Sequence, residues 1–264
     1  MHVTLAALDH AVVPLLILLA IAEARWYWPG RVRAVAAGVR GARTGIYLFI
    51  LIAEWAVVAA LVAWWASRER PWGLLRLGAG PPLRFAIALA LAAAYTGLLV
   101  AQRRALLARP ERLARLMQRL SHVDPLIPAT AAEHRLSAAV SITAGLCEEF
   151  IYRGFVMWYL TTLAGPIVAA LASSLVFGLG HLYQGRSHVL RTGILGLAFA
   201  LLAMLADSLW PAIVVHAIAD LVGLDLGYRA RLVVPAGERV SAGPEAASAV
   251  EVPGRVELGG HGSS

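Results

Sequence analysis

Apolar runs of membrane-spanning length recur along the chain, at residues 6–22, 44–66, 83–102, 136–163, 166–183, 189–209 and 211–226. About 20 such residues cross the hydrocarbon core as a helix, because backbone in lipid must satisfy its own hydrogen bonds. Seven of them within 264 residues leave little chain for anything else. The sequence therefore predicts an all-α, polytopic transmembrane bundle of seven spans. Composition agrees, with 59% hydrophobic residues, 15% charged residues and a mean hydropathy of +0.71.

The net charge of +7 contains no lysine; every basic residue is arginine. The arginines cluster between the apolar runs without an aromatic platform beside them, which suits phospholipid headgroups and argues against nucleic acid as a partner. Cys147 is the only cysteine, so neither an intramolecular disulfide nor a multi-cysteine metal site can form. The small-residue stretch Ala20-Ile21-Ala22 resembles a signal-peptidase site. However, residues 1–10 carry Asp9 and no Arg or Lys, so the first run reads as a retained helix.

Arginine placement sets the expected orientation. The first connection carries Arg25, Arg31, Arg33, Arg40 and Arg43, and the third carries Arg103, Arg104, Arg109, Arg112, Arg115, Arg119 and Arg135. Both belong on the cytoplasmic side, which gives an N-out, C-in topology; Arg68, Arg70, Arg76 and Arg84 in the second connection weaken the bias without reversing it. Between the third and fourth runs, Leu106, Leu107, Leu113, Leu116, Met117 and Leu120 recur at helical spacing among arginines. That pattern fits a helix in the headgroup plane or a surface helix packed on the bundle. From Arg229 onward Gly, Pro, Ser, Ala and Glu replace the apolar runs, and the sequence predicts a disordered tail over 229–264.

Against this apolar background, a few polar residues stand out. Glu148 and Glu149 lie inside the fourth run, where a carboxylate is expensive unless paired, hydrated or at work. Glu149 and Arg153 are an i, i+4 pair with the acid first, the favourable order on a helix. Glu149 is therefore expected to be neutralised by Arg153, leaving Glu148 to serve as a general base. The fifth run carries Phe177 and His181 on one face, with Gly178 and Gly180 permitting close helix approach. The seventh carries His216 and Asp220, again i, i+4. Together these spans supply Glu, His, His and Asp, enough to hold an activated water with or without a metal. Glu54, in the middle of the second run, reads as an interhelical hydrogen-bonder, and Asp207 lies at the end of the sixth.

The three segments Glu148-Glu149-Phe150-Ile151-Tyr152-Arg153, Phe177 to His181 and His216 to Asp220 resemble the EExxxR, FxxxH and HxxxN/D motifs of the CPBP family. These are the intramembrane proteases related to the type 2 CAAX prenyl endopeptidases, also called ABI proteins. The resemblance covers roughly residues 137–221 and implies an N-terminal helical region over 1–135, a catalytic core over 136–228 and the tail. It also implies a membrane endopeptidase, in the bacterial inner membrane, acting on protein or lipidated peptide substrates. In that pattern Glu148, helped by His181, activates a water; His216 and Asp220 stabilise the oxyanion or complete the polar cradle; Glu149 and Arg153 brace the site. Asp220 replaces the asparagine of some members and cannot donate a hydrogen bond unless protonated, so orienting His216 or binding a metal are alternative roles. The family is commonly called a metalloprotease. Zinc held by Glu148, His181 and His216 is compatible with the donor types, although HExxH is missing and three helices would have to converge. Two other classes use similar residues: a non-proteolytic immunity or scaffold protein, and a proton-coupled transporter, whose inverted repeats the sequence lacks.

Overall fold

The computed structural model describes residues 5–119 and 121–233, and all regular structure among them is helical. The expected tail from 234 on lies outside the described residues. Residues 229–233 do not belong to it, because the last helix continues to Val233.

The described residues form ten α-helices: α1 (Ala7–Ala22), α2 (Trp28–Ala36), α3 (Ala42–Ser67), α4 (Pro82–Leu107), α5 (Pro110–Arg119), α6 (Ala131–Glu148), α7 (Met157–Ala164), α8 (Pro166–Gly180), α9 (Arg186–Ala206) and α10 (Trp210–Val233). A π-helical turn, Glu23–Tyr27, joins α1 to α2 without a break, so the segment expected to leave the membrane at Ala22 stays helical to Ala36. Pro29 is accommodated because it sits in the first turn of α2, where its missing N–H is not needed. A longer π-helical segment, Glu149–Val156, joins α6 to α7.

Among the described residues, five helical segments are long and apolar enough to cross a membrane: Ala7–Ala36, Ala42–Ser67, Pro82–Leu107, Arg186–Ala206 and Trp210–Val233. The other two expected spans are helical but different in kind, so length and apolarity alone do not give seven. The α8 helix has only 15 residues, about 22 Å against a hydrocarbon core of about 30 Å. The α6–α7 segment carries Glu148, Glu149 and Arg153 at its middle.

The two ends of the bundle are tied differently. At one end Leu209 N–H donates to the Arg76 carbonyl at 2.9 Å, Trp210 Nε1 to the Leu77 carbonyl at 2.9 Å, and Arg84 to the carbonyls of Met204 and Leu205. Asp207 belongs here, in a left-handed conformation at the end of α9, 3.3 Å from Arg76. Asp9 is also buried at this end, where Arg70 grips it bidentately at 2.6 and 2.8 Å and Trp64 Nε1 adds a third bond. At the other end, which holds the first and third connections, Asp124 is pinned between Arg43 and Arg231, and Tyr47 donates to the Leu126 carbonyl. Of the two readings for α5, packing on the bundle holds: Leu113 is buried with Ile127, Leu226 and Ala230, so its apolar face rests on α10.

Candidate active site

The α6 helix starts with a reciprocal cap: Thr130 Oγ1 accepts from Glu133 N–H, and the Glu133 carboxylate accepts from Thr130 N–H, both at 3.2 Å. From there α6 runs against α10 with almost no gap. A Cβ on Gly145 would stand 2.8 Å from Ala217 Cβ and 3.0 Å from the Ile213 carbonyl oxygen, so only glycine permits this approach. The contact brings Glu148 and Glu149 to the level of His216.

Directly after Glu148 the backbone widens into the π-helical segment, a rare geometry concentrated at functional sites. In this register the Tyr152 carbonyl accepts from Met157 N–H, and Ser173 Oγ of α8 donates to the same oxygen at 2.7 Å. The α8 helix is thereby fastened to the motif segment. Gly178 brings α8 equally close to α9, since a Cβ there would meet the Val189 carbonyl oxygen at 2.4 Å. The close helix approach expected of Gly178 and Gly180 is present at both; a Cβ on Gly180 would meet the Tyr152 hydroxyl at 2.9 Å.

Glu149 is the closed half of the acidic pair. Its side chain is 0% exposed, and its Oε1 receives both Arg153 Nη1 at 3.0 Å and His216 Nδ1 at 2.8 Å. Arg153 is equally buried. Its Nη2 donates to the Gly196 carbonyl at 2.8 Å, and its guanidinium carbon lies 4.2 Å from the Phe177 ring centre and 5.6 Å from that of Phe199. A buried charge is tolerated only when paired and hydrogen-bonded, and these contacts satisfy that requirement.

Glu148 is the open half. Its side chain is 17% exposed and its Oε2 lies 3.6 Å from His216 Nε2, beyond a normal hydrogen bond. Asp220, with a side chain 43% exposed, stands 3.7 Å from the same nitrogen. His216 is thus the hub: one ring nitrogen is committed to Glu149 and the other faces Glu148 and Asp220. Its ring stacks on Phe199 at 5.0 Å and meets Phe177 edge-on at 5.9 Å.

His181 lies one residue past the end of α8, where its Nδ1 donates to the Phe177 carbonyl at 3.0 Å. A carbonyl can only accept, so this bond fixes the proton on Nδ1 and leaves Nε2 of the neutral ring as an acceptor. The Phe177 ring packs against both His181, at 4.9 Å, and His216, at 5.9 Å. His181 makes no hydrogen bond or ion pair with Glu148, and the Phe177 ring is the contact that it shares with His216. Among the described residues no three His, Cys, Asp or Glu side chains are arranged to hold a metal ion. Glu148, His181 and His216 therefore do not form a ligand set as they stand.

Sequence reasoning did not single out Gly196, Phe199 or Glu23. The first two come from α9, whose uniform apolarity gives no signal for which residues face Arg153 and His216. Glu23 sits in the π-helical turn of the first membrane segment, within electrostatic range of Glu148. Cys147 is buried at the edge of an apolar hollow of about 160 Å³ bounded also by Trp55, Val58, Phe150 and Ile213, which holds none of the motif carboxylates or histidines.

The described residues form a helical bundle of membrane-spanning character in which Glu148, Glu149 and Asp220 surround His216. Residues 132–222 match the model of the family described as Rce1-like, type II CAAX prenyl endopeptidase. The match covers about a third of the chain and contains every motif residue, from Glu148 to Asp220. It assigns this segment to the CPBP/CAAX protease family, and with the apolar helices it makes the chain an integral membrane protein. No curated protein and no solved structure matches the chain.

Proposed function

We propose that the chain is an intramembrane endopeptidase that hydrolyses peptide bonds of membrane-associated protein substrates, with residues 136–228 as its catalytic core. The observation that carries this reading is the split between two adjacent glutamates. Glu149 is sealed and neutralised by Arg153 and His216, whereas Glu148 is reachable and has no cation of its own.

In this reading Glu148 takes a proton from a water, and the resulting hydroxide attacks the carbonyl carbon. His181 Nε2, an acceptor because Nδ1 holds the proton, orients that water. One proton held on the His216–Asp220 pair supplies the donor for the developing oxyanion, which gives Asp220 the role asparagine has in other members. The C–N bond then breaks, the amine leaves with the proton from Glu148, and a carboxylic acid remains.

The acidic pair lies about midway along the bundle, at the centre of the α6–α7 segment, and α8 leads from it to His181 on the side of the arginine-rich first and third connections, where the Leu182–Gln184 turn touches the Glu23–Tyr27 turn. With those connections on the cytoplasmic side of a bacterial inner membrane, N-terminus out, the substrate enters from the cytoplasmic leaflet. The test is N-terminal profiling of membrane peptides from cells producing the wild type or Glu148→Ala. New N-termini confined to the wild type are expected, and identical profiles would remove the reading.

A further inference from the structure

Glu54 lies in the middle of α3, outside the segment that matches the protease family. As a hydrogen-bonder between helices it would need a partner, yet it makes no hydrogen bond or ion pair with any described residue, and its Oε2 is buried without a donor. A buried, unsatisfied acceptor calls for an explanation.

Its position supplies one. Trp55 Nε1 donates to Thr143 Oγ1 at 3.3 Å, and Val58 and Leu61 pack with Cys147 and Ile151, so α3 lies along α6 at the level of the motif. The titratable groups within electrostatic range of Glu54 are Glu148 from the end of α6, Cys147 next to it, His216 and Asp220 from α10, and Glu23 from the first membrane segment. Among these only His216 can be cationic, and it is already shared by Glu148, Glu149 and Asp220. Arg153 is committed to Glu149 and the Gly196 carbonyl. Oε2 of Glu148 and Oε2 of the fully buried Glu149 are likewise buried with no donor. Among the described residues this cluster therefore has more acceptor atoms than donors.

We propose that Glu54 is a specificity-determining residue, whose carboxylate receives a cationic group of the substrate, an arginine, a lysine or a free amine, beside the peptide bond that Glu148 attacks. The inference rests on the protease reading and names the substrate class for the same site. A positive charge on the substrate supplies the missing donors and balances Glu54 and Glu23, while a negative charge there faces four carboxylates. Selectivity comes as much from this repulsion as from the attraction.

The experiment uses the full-length protein in proteoliposomes and a set of single-span peptides identical except for Arg, Gln or Glu at each position flanking the cleaved bond. For the wild type, at one flanking position, the Arg peptide is expected to exceed the Gln peptide in kcat/KM by ~10-fold or more, with the Glu peptide poorest. In Glu54→Gln the Arg/Gln ratio falls to about one, whereas Glu54→Asp, which keeps the charge, restores most of the preference. Equal cleavage of Arg and Gln peptides by the wild type overturns the proposal whether or not the Glu54 variants fold. A preference that survives undiminished in Glu54→Gln overturns it as well. Failure to cleave any peptide removes the protease reading, and this inference with it; cleavage without charge preference removes the inference alone.

Discussion

His216 Nδ1 lies 2.8 Å from Glu149 Oε1, the same oxygen that Arg153 Nη1 reaches at 3.0 Å. One carboxylate oxygen thereby joins α10 to the π-helical segment that follows α6, and a single hydrogen-bond centre sets where the His216 ring stands. Its far nitrogen is then presented to Glu148 and Asp220 at 3.6 and 3.7 Å. The buried pair is scaffolding for the exposed one.

Breaking that centre from one side should be worse than removing it whole. Arg153→Met leaves Glu149 as a buried carboxylate without its guanidinium and is expected to destabilise the protein by about 3–5 kcal/mol. The double variant Glu149→Gln with Arg153→Met should lose less than the sum of the two single changes, because no uncompensated charge remains. Unfolding in detergent, followed for wild type, both singles and the double, checks this; strict additivity would mean that the two side chains do not act as a pair.

Gly145 sets the α6–α10 distance, and a methyl group there would stand within 2.8 to 3.0 Å of Ala217 and Ile213. Gly145→Ala should force the helices apart at a cost of about 1–3 kcal/mol. It should also lower hydrolysis in the molecules that remain folded, because Glu148 and His216 come from those two helices. By contrast, Gly73→Ala, at a glycine with open space around it, should change neither. Thermal stability and kcat measured on both variants test the claim.

At the opposite end of the bundle, Asp9 and Arg70 form a buried bidentate pair between the first helix and the segment after α3. Asp9→Ala strands the Arg70 guanidinium and should reduce stability by about 3–5 kcal/mol. Because the pair lies far along the bundle from the acidic site, kcat per folded molecule should stay at the wild-type value. A fall in kcat at full folding would place Asp9 in the chemistry.

Much of this was legible before any coordinates. Apolar runs of bilayer length became helices because lipid leaves the backbone no alternative, and the i, i+4 spacing of Glu149 with Arg153 and of His216 with Asp220 was realised as contacts. Helical spacing alone, however, does not report the π-helical widening at Glu149–Val156, nor that the Tyr152 carbonyl accepts from Ser173 of another helix as well as from Met157 N–H. Nor does it rank partners across helices: the resemblance implies His181 as the aid to Glu148, and spacing gives no sign that His216 lies 2.8 Å from Glu149 and 3.6 Å from Glu148. The Asp9–Arg70 pair spans 61 residues of chain, and nothing local in either sequence neighbourhood announces it. The first run was bounded at Ala22 because Glu23 and Arg25 end its apolar stretch, yet the helix continues through them to Ala36, and Pro29 in the first turn of α2 does not stop it.

The most direct test of the account is hydrolysis of a membrane-spanning peptide by the purified protein in proteoliposomes, wild type against Glu148→Gln, with folding of both confirmed by thermal unfolding. Glu148→Gln removes the base while keeping the shape of the side chain, so it should fold as the wild type does. Its kcat should fall by about 10²–10⁴-fold. Cleavage at the wild-type rate by folded Glu148→Gln would contradict the assignment of Glu148 as the group that activates water.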